Sequence, residues 1–368
     1  MVGPGRSETP APARRAGGRG PHLSAFGAAG TLRGTAELAR RLEAAGFDRL
    51  WLPESTQDVF GLCGAAALAS TELALGTGVA VAFARSPMLT AQNAWSLAQA
   101  TGGRFTVGLG TQVRAHVERR YSAPFTSPGP RLRDYVGAMR AIYAAFRELA
   151  PLHYDGPFYS FSLLPPLWSP GPMEHPDPPI YAAGVRPWMC RMIGEVADGM
   201  LVHPLSSPAY LRSVVLPSVQ EGERVAGRSP GTVAMVCPVM TAVADDDEGR
   251  TRRRNDIAMR LAFYGSTPGY DVVFESSGWS GVGERLHRLQ RDGDVAGMRR
   301  TITDEMLDAF AVTSTWDELP GRLLERFGDV ADDVVCYSVV DRWDDDPDAA
   351  ARWRDVTRRF GELVARRL

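Results

Sequence analysis

Short apolar runs and longer amphipathic runs alternate eight times along this chain of 368 residues. The apolar runs are typical of buried strands, and a stretch with helical periodicity follows each of them. Strands that alternate with helices form parallel sheets, because the helix carries the chain back to the edge where the next strand begins. The predicted strands are 22–26, 47–52, 73–83, 104–109, 179–183, 199–203, 232–243 and 333–340.

Eight strand–helix units favour a (β/α)8 barrel, the α/β fold in which parallel strands close into a cylinder. The alternative is a doubly wound open sheet, whose first strand often leads into a G-x-G-x-x-G turn. The nearest motifs here begin at Gly108 and Gly281 and lack the third glycine, so we predict the barrel. The predicted domain spans 21–368, with insertions at about 111–130, 150–178 and 264–314 that should gather at the carboxyl ends of the strands.

Composition and charge argue against several classes of partner. The net charge is −2, which gives no sign of nucleic-acid binding, and no apolar run approaches the roughly 20 residues of a membrane span. Residues 1–20 are mostly Pro, Gly, Ala and Arg, which predicts a disordered tail, with a basic nucleic-acid arm as the alternative. This segment also lacks the apolar centre of a signal peptide.

Cysteine and histidine spacing gives no indication of a metal site. The four cysteines include no C-x-x-C pair, and the six histidines show no paired ligand spacing. Cys63, Cys237 and Cys336 lie in apolar contexts, which predicts small buried side chains in a reducing cytoplasm.

Two glycine-containing segments at strand ends attract attention. Gly76 and Gly78 interrupt the third predicted strand, which indicates either a bulge or tight packing site, or a place where a ligand approaches the backbone. In the segment 182–187, a strand ends, a glycine and an arginine follow, and a proline opens a helix. Free N–H groups at a helix start bind anions, and an arginine pairs with phosphate oxygens. The alternative is an ordinary turn with a solvated arginine.

Five stretches, at 36–55, 72–111, 131–146, 178–205 and 304–323, together resemble the luciferase-like flavin and deazaflavin oxidoreductases, whose fold is a TIM barrel with insertions. Within that family, AFARSP (82–87), VERRY (117–121) and AFYGSTPGY (262–270) are similar to actinobacterial members that depend on coenzyme F420. The resemblance implies a cytoplasmic, homodimeric F420-dependent oxidoreductase that transfers a hydride to or from a small organic substrate. The alternatives are a monooxygenase that uses reduced FMN and oxygen, and a non-catalytic cofactor-binding relative.

The same resemblance implies which residues contact the cofactor. The family often carries a non-proline cis peptide at a bulge in the third strand, behind the middle ring of the cofactor, and this bond corresponds to Gly78-Val79. The cofactor phosphate lies at the turn after the fifth strand. The implied contacts are Gly78, Val79 and Ala80 at the bulge, Gly110, Thr111 and Gln112 after the fourth strand, and Ala183, Gly184, Val185 and Arg186 at the turn.

The proton-transfer residues of relatives do not carry over. Where relatives have an acidic residue after the fourth strand, this chain has Gln112 and Val113, and a family histidine after the second strand corresponds to Ser55. The remaining catalytic candidates are Glu54 and His116. Glu54 is either a buried general acid or a ligand of backbone N–H groups at the barrel mouth. His116 is either a proton-transfer group or a solvated loop histidine.

Two further features concern the insertions. The segments 158–168 and 262–270 are aromatic and rich in proline or glycine, which suits walls around a flat ligand, or segments that simply pack on each other. Arg131 and Asp134 match the R-x-x-[DE] helix start of the family. For them we predict a structural role, as a capping and ion-pair device between an insertion and the barrel.

Overall fold

The structure is a computed structural model that describes residues 20–337, 339, 343 and 346–368. Apart from Gly20, the predicted tail lies outside the described residues. The strands are β1 (His22–Phe26), β2 (Arg49–Leu52), β3 (Ala74–Thr77), β4 (Ala80–Val81), β5 (Phe105–Gly110), β6 (Tyr154–Asp155), β7 (Ser160–Phe161), β8 (Ile180–Gly184), β9 (Gly199–Val202), β10 (Ala234–Val243), β11 (Ala311–Ser314) and β12 (Asp333–Cys336). The helices are α1 (Leu32–Ala44), α2 (Val59–Ala67), α3 (Pro87–Ala100), α4 (Pro128–Glu148), α5 (Pro187–Val196), α6 (Pro208–Tyr210), α7 (Leu216–Val225), α8 (Asp247–Gly265), α9 (Asp271–Glu275), α10 (Val282–Asp292), α11 (Val295–Thr301), α12 (Asp304–Phe310), α13 (Leu319–Phe327) and α14 (Ala349–Ala365).

Eight parallel strands close into a barrel. The ring runs β1, β2, β3, β5, β8, β9, β10 and β12, and β12 pairs with β1 to complete it. Its third member is interrupted, since β3 and β4 both pair with β5, one on each side of a short break. The (β/α)8 barrel is therefore confirmed, and the doubly wound open sheet is excluded because the ring is closed.

Local sequence signals set the boundaries of the barrel helices. The Thr31 hydroxyl accepts the N–H of Gly34 and caps α1, whose buried face includes Leu38 and Leu42. Ser86 caps α3, and Pro87 occupies its first turn. These polar caps fall a few residues after the apolar strands end, so the first and third strands lead by short loops into their crossover helices.

The interior of the barrel is filled by large side chains. Trp51, Leu201, Val236 and Val335 form one buried cluster, and the Trp51 indole N–H donates to Asp333 at 2.9 Å. Burial raises the pKa of Asp333 above its usual value. A filled interior places any ligand site above this cluster, at one end of the barrel.

The largest insertion lies over the carboxyl ends of the strands. Helices α8 to α12 and strand β11 separate β10 from α13, the next barrel helix. From α8, the Arg260 guanidinium stands 5.2 Å from the ring centre of Tyr337, and the Tyr264 hydroxyl bonds the Tyr337 hydroxyl at 2.6 Å. Tyr337 directly follows β12, so α8 already belongs to this insertion, which begins earlier than the predicted residue 264.

The second insertion is attached to α4 through a buried carboxylate. Asp134 accepts the N–H groups of Phe158 and Tyr159, at 2.8 and 2.9 Å, and the Tyr154 hydroxyl at 2.6 Å. These contacts hold the β6–β7 hairpin against the first turns of α4. The predicted connection between insertion and barrel is therefore present at Asp134.

The partner of Arg131 differs from the prediction. Its guanidinium donates to the Tyr159 hydroxyl at 2.9 Å and to the Pro124 carbonyl at 2.6 Å, and it lies 4.4 Å from the ring centre of Phe83. The prediction of an ion pair and a helix cap is wrong, because α4 begins at Pro128 and both side chains bind tyrosine and backbone groups instead.

Two predictions from composition can be compared with the structure. All four cysteines are buried, which confirms the burial predicted for Cys63, Cys237 and Cys336. In the part of the chain that the structure describes, no helix combines the length and the apolar character that crossing a membrane requires.

Candidate cofactor and substrate site

The break between β3 and β4 lies at the carboxyl end of the barrel. Its peptide bond Gly78-Val79 is cis, as the resemblance implies. The Val79 side chain lies against Gly110 of β5, since a Cβ atom built on Gly110 would be 2.5 Å from Cγ2 of Val79. The structure therefore brings together the bulge residues and the glycine after the fourth predicted strand.

A buried threonine spans the break in the ladder. The Thr77 hydroxyl donates to the carbonyl of Gly108 at 2.7 Å and accepts the N–H of Gly108 at 2.8 Å. Thr77 thus replaces the backbone hydrogen bonds that the bulge removes. The sequence analysis did not identify this residue, although a threonine between two glycines of a buried strand was an available signal.

Glu54 holds the segment that follows the bulge. One carboxylate oxygen accepts the N–H of Val81 at 2.6 Å and the Arg85 guanidinium at 2.8 Å, and the other oxygen contacts Arg85 at 2.5 Å. Burial lowers the pKa of Arg85, but the hydrogen bond and charge of Glu54 raise it more, so its net pKa is raised. Of the two predicted roles of Glu54, the structure shows the one in which it binds a backbone N–H at the barrel mouth.

The turn after β8 lies at the same end of the barrel as the bulge. Ala80 is paired with Leu109 of β5, and Leu109 is paired with Ala182 of β8, so the three residues stand at one level of the sheet. Helix α5 begins at Pro187 with no side chain capping its first N–H groups. These N–H groups are available to an anion beside the bulge.

Two residues of this turn have roles that the sequence did not reveal. Arg186 is largely exposed and turns toward the large insertion, where it donates to the Gly269 carbonyl at 3.2 Å and lies 3.7 Å from Asp271. A Cβ atom on Gly184 would stand 3.0 Å from both Met189 and Ile193. Close packing of β8 on its own helix is therefore sufficient to explain Gly184.

A cavity of about 210 Å³ opens at the carboxyl ends of β1, β2 and β12. The Phe26 and Tyr337 rings stack in its wall, with centres 4.4 Å apart and planes 13° from parallel. Phe26 also reaches the bulge, since a Cβ atom on Gly78 would be 3.5 Å from its ring. The cavity therefore adjoins the bulge. Polar side chains in its wall are Ser55, Thr56, Gln57 and Arg260.

His203 follows β9 directly and stands among aromatic rings of the large insertion. Its ring centre is 5.0 Å from that of Tyr264 and 4.6 Å from that of Tyr270, both in edge-to-face contact. Burial lowers the pKa of His203 to about 3, so the ring is neutral at physiological pH. The sequence already places His203 among the strand-end residues of the barrel mouth, but nothing in its pattern assigns it a role.

Three other predicted site residues lie in the segment that follows β5. His116 is exposed, which fits the solvated alternative, and its catalytic role stays a prediction. Gln112 has a positive φ of 57°, and its side-chain carbonyl accepts the N–H of Val113 at 2.9 Å. Thr111 lies beside it, half-buried at the end of β5.

The two aromatic segments differ in position. Tyr264 and Tyr270 of the segment 262–270 stand at the barrel mouth beside His203. In the segment 158–168, by contrast, Leu167 is 98% exposed and Trp168 is 72% exposed. The segment 262–270 therefore contributes two rings, Tyr264 and Tyr270, to the barrel mouth, whereas the end of the segment 158–168 is exposed to solvent.

Comparison with known proteins identifies the family. A family model described as luciferase-like monooxygenase matches residues 13–333. An uncharacterised protein of Mycobacterium tuberculosis is 40% identical over 300 residues, which cover 82% of this chain and 88% of the relative. The chain belongs to the luciferase-like monooxygenase family.

Solved structures of the luciferase-like family show the same fold. The coenzyme F420-dependent tetrahydromethanopterin reductase of Methanopyrus kandleri superposes with a TM-score of 0.73 at 20% identity, over 92% of this chain and 97% of that one. The oxygenating constituent of 3,6-diketocamphane monooxygenase from Pseudomonas putida, solved with FMN, gives a TM-score of 0.63 at 15% identity, over 95% and 99%. Luciferase-like barrels similar to this one therefore include a deazaflavin enzyme and a flavin enzyme.

Proposed function

We propose that this chain is an F420-dependent oxidoreductase that transfers a hydride to or from a small organic substrate. The observation that carries the proposal is the shared position of the bulge, Gly110 and the uncapped start of α5 at one end of the barrel. The backbone of the bulge, here called the ring seat, lies beside a helix start that can bind an anion. This arrangement suits a flat ring joined to a phosphate. The likeness to the Methanopyrus reductase supports a deazaflavin.

The proposed cofactor contacts follow the positions described above. The backbone of Gly78, Val79 and Ala80 would support the ring, with Gly110 beside it. The N–H groups of the α5 turn would bind the phosphate. Arg186 would reach a phosphate only after leaving Gly269 and Asp271. The bound cofactor would supply the electrons.

The protein's own part in the reaction would be positioning and exclusion of water. The cavity beside the bulge is large enough for a small organic molecule and is walled by the stacked Phe26 and Tyr337 rings. A substrate held there would lie beside the Phe26 ring, which also contacts the bulge. Holding two reactants close together raises the rate without further chemistry from the protein. Glu54 and Arg85 keep the ring seat in place.

The second candidate is a monooxygenase that uses reduced FMN and oxygen. The observation that favours it is the likeness to the Pseudomonas oxygenating constituent, which binds FMN on the same fold. Fluorescence titration of the purified protein with F420 and with FMN separates the two candidates. We expect F420 to bind more tightly, and tight binding of FMN without binding of F420 would contradict the proposal.

A charge reversal tests the phosphate site. Arg186→Glu places a negative charge beside the α5 turn, and because its side chain is largely exposed the fold should tolerate it. We expect F420 to bind at least about tenfold more weakly at low salt, with a smaller difference at high salt. The matched control is Arg224→Glu, an equal charge change in the last turn of α7 beside Glu221. Equal effects of the two variants would exclude the turn as the phosphate site.

A further inference from the structure

His203 has one ring nitrogen engaged and one available. Its Nδ1 accepts the backbone N–H of Leu205 at 3.0 Å, so the proton of the neutral ring is on Nε2. Nε2 has no hydrogen-bond partner among the described residues, and it is not a fully buried atom. His203 therefore presents a single N–H donor toward accessible space.

His203 stands at the carboxyl end of the barrel, directly after β9. Val202, the last residue of β9, is paired with Gly184 of the α5 turn, so His203 stands one strand beyond the proposed phosphate site. Tyr264 and Tyr270 flank the imidazole, and both keep some accessible surface. The Tyr264 hydroxyl also bonds that of Tyr337 in the wall of the cavity beside the bulge. The surroundings of the donor are therefore aromatic and adjoin that cavity.

Charged groups do not act on this donor. Burial alone accounts for the lowered pKa of His203, with no contribution from a charged side chain. The chain contains no lysine, and the arginine of the neighbouring turn, Arg186, is already bound to Gly269 and Asp271. Because no charged side chain contributes to the pKa of His203, a charged molecule would gain little at this donor, whereas a neutral flat molecule would find ring contacts and one N–H.

We propose that His203 is a specificity-determining residue that donates its Nε2–H to an oxygen of an uncharged, flat carbonyl compound resting against Tyr264 and Tyr270. The inference rests on the proposed function in that the ligand is taken to be the substrate of the oxidoreductase. The imidazole stays neutral and is held in place by the backbone N–H of Leu205. It would therefore orient the carbonyl without transferring a proton.

The experiment uses the full chain loaded with F420 and two neutral probes, cyclohex-2-enone and cyclohexene. Cofactor fluorescence reports the Kd of each probe, and ¹⁵N NMR of labelled histidine reports Nε2 of His203, assigned by its loss in His203→Gln. We expect the Kd of the enone to be about three- to tenfold lower than that of cyclohexene in the wild type, because one hydrogen bond contributes about that much. The enone should move the His203 resonance saturably, and inorganic phosphate should not.

Variants separate a binding role from a structural one. His203→Phe should lose the preference for the enone, and His203→Gln, which keeps an N–H donor, should retain part of it. His153→Gln, at an exposed histidine of the second insertion, is the matched control and should behave as wild type. Thermal melting of each variant shows whether it is folded. The NMR titration is carried out on the wild type, and a variant is needed only to assign the His203 resonance.

Three results would overturn the inference: no binding of the enone, enone binding that leaves the His203 resonance unmoved, or an unchanged preference in His203→Phe. If inorganic phosphate moves the His203 resonance, the ligand of His203 is an anion, and the inference of a neutral ligand is wrong. If F420 fails to bind, the proposed function is wrong, and the same NMR titration of the unloaded chain still decides the role of His203.

Discussion

The buried histidine at the end of β9 should make the protein less stable in acid. The pKa of His203 is about 3 in the folded chain and 6.5 in an unfolded one. Below pH 6.5 His203 is therefore protonated in the unfolded state and stays neutral in the folded state. The free energy of unfolding falls as the pH falls toward 3. At about 1.4 kcal/mol for each pH unit, the loss between about pH 7 and about pH 5 is about 2 kcal/mol.

Replacement by glutamine isolates this contribution. His203→Gln has no titrating group at this position, so its unfolding free energy should lose about 2 kcal/mol less than that of the wild type between about pH 7 and about pH 5. Urea denaturation at both pH values, followed by circular dichroism, measures the difference. Because His203 keeps some accessible surface, the 2 kcal/mol is an upper bound.

His22 provides a control of opposite sign. Its hydrogen bond with Asp48 raises the pKa of His22 more than burial lowers it. His22 therefore stabilises the fold below its unfolded pKa of 6.5, and this stability is lost as the pH rises through the folded pKa. His22→Gln should lower stability in acid, where His203→Gln raises it relative to wild type. The same pH dependence in wild type and His203→Gln would refute the argument.

Three further predictions concern the scaffold of the site. Thr77→Val should lower the free energy of unfolding by about 3 kcal/mol, because it leaves the buried N–H and carbonyl of Gly108 unpaired, and Thr77→Ser should restore most of the loss in urea denaturation. Glu54→Gln should lower the free energy of unfolding by about 3 kcal/mol, because it leaves the buried Arg85 without its charged partner. The double variant with Arg85→Met should lose less stability than the sum of the two single variants. Strict additivity would show that the pair does not interact. Asp134→Asn should loosen the β6–β7 hairpin and speed limited proteolysis within residues 150–178, whereas an unchanged cleavage rate would show that the hairpin is held by other contacts.

The barrel itself was predictable because its signal is local and repeated. Each barrel strand carries its own apolar run, and the first barrel helices begin at side-chain caps such as Thr31 and Ser86. Strand β11 was missed because it lies within the predicted insertion 264–314 and forms by pairing with the outer half of β10, from Met240 to Val243. The early start of the large insertion was missed for a similar reason, since the pattern of α8 does not reveal on which side of the barrel the helix lies.

The candidate site was predictable at its strand ends and not in its contacts. The resemblance and the glycine pattern located the bulge and the α5 turn. The interactions that hold the bulge join residues 31 positions apart in the chain, Thr77 with Gly108 and Glu54 with Arg85. The predicted barrel gives the order of neighbouring strands, but an apolar pattern does not reveal which side chains meet where those strands end.

The two glycines of the third predicted strand have different structural causes, which the residue type alone does not distinguish. In the barrel register, Gly76 is paired with Trp51 of β2, and a Cβ atom on Gly76 would stand 2.4 Å from the indole ring. Gly76 is therefore required by the packing of the interior, independently of any ligand. On Gly78 a Cβ atom would be 3.3 Å from Cβ of Trp51, so the same tryptophan also limits the size of the bulge residue.

This packing connects the interior to the mouth. Val79 and Phe26 both rest on the cluster that contains Trp51, so the bulge is supported from below by a filled barrel. A flat ligand at the bulge would then lie on a rigid surface rather than over a void. Two neighbouring glycines that look like one signal in the sequence thus have separable causes. Gly76 makes room for the tryptophan that fills the interior, and the bulge at Gly78 rests on that tryptophan.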